Sequence, residues 1–507
     1  MAEDPHEHAS TPSPASWWQD AVCWQVYPLG FCDAPPRSAD PEDPAAPDPT
    51  VVHRLPRLLT WLDHLIALGA NVLLLNPVFA SVSHGYDTLD HRRIDPRLGD
   101  RADLDRLLEA CHARGIRLVL DGVFNHLSAC HPIVRRAVAA GPGTEDGAWI
   151  RWADGYPYGF EGNDDLVELD LATPAVQDEI ASIMCHWLEG GIDGWRLDAM
   201  YSADPHAWAR ILTRVRAAHP EAWILGEVIH GDHVGIVQAS TADSLTQYEL
   251  WKAIWSSLHD GNLFELAHAV GRHERFLEAG TLPLTFLGNH DTTRIASQLP
   301  DGRDLPVAVA LLALLPGVPC IYAGDEFGAV GVKEDRPGGD DAVRPVFPDR
   351  PEDVPEDVLE GRGPTTTSSG GAGFPPLQLL SPSAAPRILE VHERVFALRR
   401  RIPWLVDARV DVPADALTNT TARFVLSRRA GDTKAADTKA SGTETVVLCV
   451  NLDDAPVPAP SGTVIEQVCG ADVLDAVGPA APDVVPAHGV AVVSRTGSRF
   501  PDDAGQA

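Results

Sequence analysis

Between residues 22 and 401, short apolar, β-branched runs alternate with amphipathic stretches, the pattern of repeated strand and helix units that align strands in parallel. The strand candidates are residues 22–27, 71–77, 117–124, 194–199, 223–228, 244–248, 284–288 and 318–322. Helical periodicity fills most of the gaps, as at 55–68, 102–113, 175–188 and 305–315. Eight such units predict an α/β fold closed into a (β/α)8 TIM barrel rather than an open doubly wound sheet.

The spacing of polar strings breaks this rhythm once. From Asn125 to Asp198 is 198 − 125 = 73 residues, whereas Asp198 to Glu227 takes 227 − 198 = 29, so an excursion of the chain is predicted after strand three, at about 127–173. Segments 33–49 and 331–386 are rich in proline or in Gly, Ser and Thr and read as long loops. Beyond Arg401 the runs at 422–427, 445–451 and 489–493 are short, β-branched and broken by Pro, Gly and Asp, with no amphipathic helix between them. The predicted division is a disordered arm at 1–20, the barrel at 21–401, a C-terminal all-β, sandwich-like domain at 402–497 and a disordered tail at 498–507.

The 72 acidic against 40 basic residues give a formal charge of −32, which disfavours phosphate backbones and anionic headgroups and argues against a nucleic-acid partner. The first sixteen residues lack the basic start and apolar run of a secretion signal, so a cytoplasmic location is expected. Membrane insertion is not expected either, because the richest apolar stretch, 307–315, is bounded by Pro306 and Pro316 and is far shorter than the ~20 residues of a span. The eight cysteines form no C-x-x-C pair, so they read as buried thiols and no metal site is expected from them.

In a barrel of this kind chemistry sits at the carboxyl ends of the strands. Strand two leads into HGYDT (84–88), strand three ends in DGVFNH (121–126), strand four carries GWRLDAM (194–200), strand five ends in LGEV (225–228) and strand seven in LGNHD (287–291). A charge at the end of an apolar strand costs several kcal/mol, on the order of 3–5, unless partners converge on it, so Asp198, Glu227 and Asp291 are expected to share one site. Arg196 lies two residues before Asp198, on the same side of the strand, where a guanidinium is expected to keep Asp198 ionised.

These strings closely resemble the α-amylase family of glycoside hydrolases, and the resemblance runs from about Trp18 to Glu326, closing with GVPCIYAGDEFG (317–328) at the eighth strand. It implies Asp198 as nucleophile, Glu227 as general acid/base and Asp291 as the carboxylate that grips the sugar's 2- and 3-hydroxyls. By the same resemblance His126 and His290 hydrogen-bond the sugar, Arg196 orients the nucleophile, Tyr86 stacks beneath the ring, and Asp121 and Asn125 support the site. No cofactor is implied as a requirement; Asn125 matches a position that ligates calcium in some members, with no second ligand standing out in 127–173. Within the family, SVSHGYDTLDHRRIDPRLGD (81–100) and GEVIHGD around Glu227 look most like cyclomaltodextrinases and neopullulanases, but their N-terminal β module has no counterpart before residue 21. Tyr201 and Ser202 stand where many endo-amylases have Lys and His.

The expected activity is therefore retaining hydrolysis of α-1,4-linked gluco-oligosaccharides through a covalent glycosyl-enzyme, the oligosaccharide being the expected partner. A transglycosylase of the same family uses the same intermediate and is the near alternative. A non-catalytic partner of a membrane transporter is the distant one, disfavoured because all three carboxylates are present.

Overall fold

The computed structural model describes residues 17–38, 50–336, 338–354, 373–429, 444–470, 481 and 483–494. Eight parallel strands form its centre: β1 (Cys23–Val26), β2 (Val72–Leu75), β3 (Arg117–Gly122), β4 (Gly194–Leu197), β5 (Trp223–Gly226), β6 (Ser244–Leu245), β7 (Leu284–Phe286) and β8 (Val318–Tyr322). They pair in the order β6-β5-β4-β3-β2-β1-β8-β7, and a single parallel bridge from Thr246 to Leu284 closes the ring. β6 is short because the Thr246 side chain takes over ladder positions: its hydroxyl accepts from the Val228 N–H at 2.9 Å and donates to the Val228 carbonyl at 3.0 Å.

Inside the barrel, every second residue along a strand shares the inward face. At the floor these positions are apolar and packed together, among them Cys23, Val72, Leu74, Val119, Trp223, Leu225, Phe286 and Val318. Continuing by twos toward the carboxyl ends, the same rows turn polar: Gln25, Asn76, Asp121, Arg196, Asp198, Glu227 and His290. The floor is covered by Trp17–Asp20, which form a 3-10 turn with Trp18 stacked on Trp223 at 6.2 Å and Trp17 edge-on to it at 6.0 Å. The arm expected at 1–20 is thus corrected: residues 17–20 are built into the barrel by aromatic burial, and 1–16 lie outside the described residues, as does the expected tail at 498–507.

Around the strands, the helix Arg101–His112 opens with a capping box in which Asp100 and Asp103 each accept from the other's backbone N–H at 3.1 Å. The stretch expected as one helix at 55–68 splits into a 3-10 segment, Leu55–Trp61, and a helix, Leu62–Ala67. The helix Leu305–Leu314 is buried on all sides, packed against the helix Ala385–Arg401 and the C-terminal sheet, which accounts for its uniformly apolar sequence. Buried Arg399 finishes it by donating to the carbonyls of Ala313 and Leu315 at 2.8 and 3.1 Å. Among the described residues no helix is long and apolar enough to cross a membrane.

The excursion after β3 contains the helix Pro132–Ala140 and an antiparallel sheet in which Asn163–Glu168 pairs with His126–Ser128 on one side and Gly159–Phe160 on the other. After β8, the described parts of the expected loop at 331–386 are built against the barrel. Gln378–Leu379 pairs with Ala329–Val330, and Phe347 stacks on Phe31 at 4.4 Å. The Thr-Ser run within that loop lies outside the described residues. The C-terminal strands β9 (Arg409–Asp411), β10 (Thr421–Ser427), β11 (Thr445–Asn451), β12 (Thr463–Cys469) and β13 (Gly489–Ser494) form one antiparallel sheet in the order β9-β10-β11-β13-β12. Ala422, Phe424 and Leu426 of β10 alternate inward, as the period of two requires.

Candidate active site

The polar rows of the barrel interior meet at Arg196. Its Nη1 donates to Asp121 Oδ1 at 2.7 Å and to Asp198 Oδ1 at 3.1 Å, and its Nη2 to Glu227 Oε1 at 2.8 Å. β3, β4 and β5 lie side by side, so one guanidinium gathers three carboxylates from three neighbouring strands. Burial works against the charge on Arg196, but Asp121, Glu227 and Asp198 outweigh it and hold its pKa well above the ordinary value. Asp198 behaves differently from the expectation that Arg196 keeps it ionised. Burial, reinforced by the adjoining Glu227 carboxylate, pushes its carboxyl well above the usual range, and the shared guanidinium does not reverse this.

Glu227 is fixed from two further directions. The Ala199 N–H donates to Oε2 at 3.0 Å and the Tyr248 hydroxyl to Oε1 at 3.1 Å, with Asn289 Nδ2 donating in turn to Tyr248 at 2.9 Å. Ala199 achieves this by adopting a left-handed backbone, φ 47°, immediately after Asp198. Strand four thus ends in a strained turn that aims one side chain and one N–H into the same space.

Asp291, with a side chain about one-third exposed (32%), stands on the opposite side of the site between His290 Nε2 at 2.9 Å and Arg344 Nη2 at 2.7 Å. Burial favours its protonation, but His290, Arg344 and Arg196 outweigh this and hold it well below the ordinary carboxylate range. The buried His290 ring lies parallel to Tyr86 at 5.3 Å and to Tyr27 at 6.1 Å. Tyr86 is placed against His290, its hydroxyl donating to Asp121 Oδ2 at 3.0 Å and accepting from Asn76 Nδ2 at 3.0 Å.

His126 and Asn125 complete the described set. Phe160 covers the His126 ring at 4.5 Å, nearly parallel, and burial pushes His126 down to about 4, so it is neutral at pH 7. Neither of its ring nitrogens, nor Asn125 Nδ2, has a hydrogen-bond partner among the described residues. Buried polar groups in that state are satisfied by ordered water or by a polar ligand. Among the described residues, the His, Asp and Glu ligand atoms that lie close together are those of His53, Asp100 and Asp103, and the two aspartates form the helix cap.

The strand-end strings thus bring Tyr86, Asp121, Asn125, His126, Arg196, Asp198, Glu227, His290 and Asp291 to one end of the barrel. Four contributors went unread in the sequence. Tyr27 continues the inward row Cys23, Gln25, and that spacing is a signal that would have found it. Tyr248 opens a helix just past β6, Arg344 lies in a loop without periodicity, and Phe160 sits in the excursion, so none of these carries a local signature. Of the excursion's other aromatics, Trp149 and Trp152 pack against the core, while Tyr156 is 75% exposed and Tyr158 carries Arg151 over its ring.

The family model described as the catalytic domain of alpha-amylase matches residues 25–376. A cyclomaltodextrinase from a Bacillus species is 32% identical over 345 residues, 63% of this chain and 61% of its own. An intracellular maltogenic amylase of Bacillus subtilis is 31% identical over 348 residues, 64% of this chain and 58% of its own. The chain therefore spans about three fifths of the length of these curated relatives. Among solved structures, the ligand-free cyclic α-maltosyl-(1→6)-maltose hydrolase from Arthrobacter globiformis superposes with a TM-score of 0.69 at 25% identity, covering 95% of this chain and 100% of that one.

Proposed function

Since the chain belongs to the α-amylase family, we propose that it is a glycoside hydrolase acting on α-glucans, specifically a retaining enzyme that cleaves α-1,4-linked gluco-oligosaccharides. The observation that carries the reading is the single guanidinium of Arg196 bonded to both Asp198 and Glu227, which holds two buried carboxyls side by side at the carboxyl ends of neighbouring strands. Double displacement needs one ionised carboxylate at the anomeric carbon and one protonated carboxyl at the leaving oxygen.

In this reading Asp198 attacks C1 while Glu227 protonates the departing oxygen, and Glu227 then takes a proton from the water that releases the sugar. Asp291, held as an anion, accepts hydrogen bonds from the ring hydroxyls of the sugar. The unpartnered nitrogens of His126 and the amide of Asn125 gain partners when the sugar enters. Tyr86 and His290 act as a stacked wall whose polar edges are set by Asn76 and Asp121. The relatives' names, cyclomaltodextrinase and maltogenic amylase, support an α-glucan oligosaccharide substrate.

The test is turnover of maltotriose with NMR detection of the anomer released first. Release of the α-anomer by wild type and a loss of at least about a thousandfold in Asp198→Asn, equivalent to ~4 kcal/mol, are expected. Initial β-anomer release would exclude the double displacement, and an Asp198→Asn rate above roughly a tenth of wild type would remove Asp198 from the nucleophile's role.

A further inference from the structure

A cavity of about 210 Å3 lies between the excursion, the helix Pro174–Glu189 and the strand Thr88–Ile94, and none of the nine site residues lines it. Phe124, Leu127, Trp149, Leu169, Ile180 and Ile183 supply most of its apolar wall. The inner part of that wall is fixed: Phe124 stands edge-on to Trp195 at 5.4 Å and beside His91 at 5.1 Å, and His91 Nε2 donates to the Val123 carbonyl at 2.8 Å.

The polar groups at this cavity are few. His131, itself more than nine-tenths buried, accepts through Nδ1 from the Ile133 N–H at 3.1 Å, which places the ring's hydrogen on Nε2, and among the described residues nothing accepts from it. Burial pushes His131 down to about 4, so at pH 7 the ring is neutral and brings one donor. Toward solvent stand Asp90, Arg92 and Glu179, and Arg92 is paired with Glu179, so the acids outnumber the base and an anion is disfavoured. An apolar space of ~150 Å3 accepts benzene, so this one has room for a single six-membered ring with one or two substituents. A sugar fits it poorly, because most of the wall offers its hydroxyls no partner.

We propose that this cavity binds a neutral, single-ring molecule carrying one hydrogen-bond acceptor, of which a phenol is the simplest, with its ring among Phe124, Trp149 and Ile180 and its oxygen accepting from His131 Nε2. The site goes beyond the hydrolase reading and stands without it. Its place in the fold gives it a bearing on the sugar site nonetheless. Phe124 and Leu127 flank Asn125 and His126 in the chain, and the Leu169 N–H donates to the Asn125 carbonyl at 2.9 Å. A ring seated against Phe124, Leu127 and Leu169 therefore bears on the backbone from which Asn125 and His126 project.

The probe is 4-bromophenol, titrated calorimetrically into the full chain at pH 7 and soaked into its crystals. A Kd of roughly 0.1 to 1 mM is expected for a ligand of this size, with the anomalous signal of bromine inside the cavity. Ile180→Phe, which brings a ring of its own to the wall, should weaken binding by about tenfold or more, and 4-bromobenzoate, the same ring with a negative charge, should bind wild type more weakly by a similar factor. The proposal is overturned by the absence of binding, by bromine found only outside the cavity, by an affinity unchanged in Ile180→Phe, or by 4-bromobenzoate binding as well as the phenol. If Ile180→Phe does not fold, the position of the bromine in wild type decides.

Discussion

Arg344 is the residue whose removal separates binding from mere presence of the carboxylates. It donates to Asp291 Oδ1, to the His290 carbonyl at 2.8 Å and to Asp340 Oδ2 at 3.1 Å, with its guanidinium 4.7 Å from the Tyr27 ring centroid. Arg344→Met leaves Asp291 with His290 and the field of Arg196. A fall in kcat/KM for maltotriose of roughly a hundredfold, ~3 kcal/mol, is expected, together with a shift of the acid limb of the pH profile to higher pH, because one of the charges holding Asp291 ionised is gone; an unmoved acid limb would contradict the pairing. A second residue-scale prediction concerns four buried histidines. Burial lowers His91 to about 3 and His126, His131 and His273 to about 4, below the unfolded value near 6.5. The stability held by keeping them neutral is complete above pH 6.5 and is lost as pH falls from there toward 4, on the order of 2 kcal/mol per histidine at pH 5. Urea unfolding at pH 7 and pH 5 checks this, and equal stability at the two values would show that these rings are not buried neutral.

At the level of elements, Gly194 sets the fit between β4 and β5. A Cβ added there would lie 2.4 Å from the Trp223 carbonyl oxygen, a backbone atom of the neighbouring strand. Gly194→Ala should therefore cost about 1–3 kcal/mol in urea unfolding and also lower activity, since the strands it pries apart carry Asp198 and Glu227. Stability and rate equal to wild type would refute the close approach. All eight barrel strands were legible from apolar runs, but most ran one to three residues too long at the carboxyl end. The reason is physical: Tyr27, Asp198, Ala199, Glu227 and Val228 follow the last ladder residues, where the chain turns out of the sheet to present its chemistry. The six-residue strand β13 and the seven-residue strands β10 and β11 were legible in the same way, whereas β12 was not, because a register shift between Val464 and Glu466 breaks its period of two. The second carboxylate of the strand-end motifs could be read from sequence; the hydrogen-bond partners that fix its position, Tyr248 and the left-handed Ala199, depend on tertiary approach and could not.

Across the whole molecule, two segments outside the barrel strands reach the site residues: the excursion tip, with Phe160 on His126 and Glu161 on Tyr201, and the segment that brings Arg344 to Asp291 and Phe347 to Phe31. A site bordered by both segments is expected to suit short chains better than the middle of a polymer. We expect kcat/KM for maltotriose to exceed that for soluble starch, compared per susceptible chain end; faster starch cleavage with a rapid fall in viscosity would contradict this. The opposite end of the barrel offers something else. Trp17 and Trp18 meet Trp223 edge-on and face-on, and Trp223 begins the strand that ends at Glu227. Indoles this close couple through their transition dipoles, so the cluster is expected to contribute its own signal to circular dichroism. The difference in near-ultraviolet circular dichroism between wild type and Trp18→Phe thereby becomes an optical gauge of whether the chain entering β1 is seated on the barrel floor, readable without any label and at a distance from the substrate.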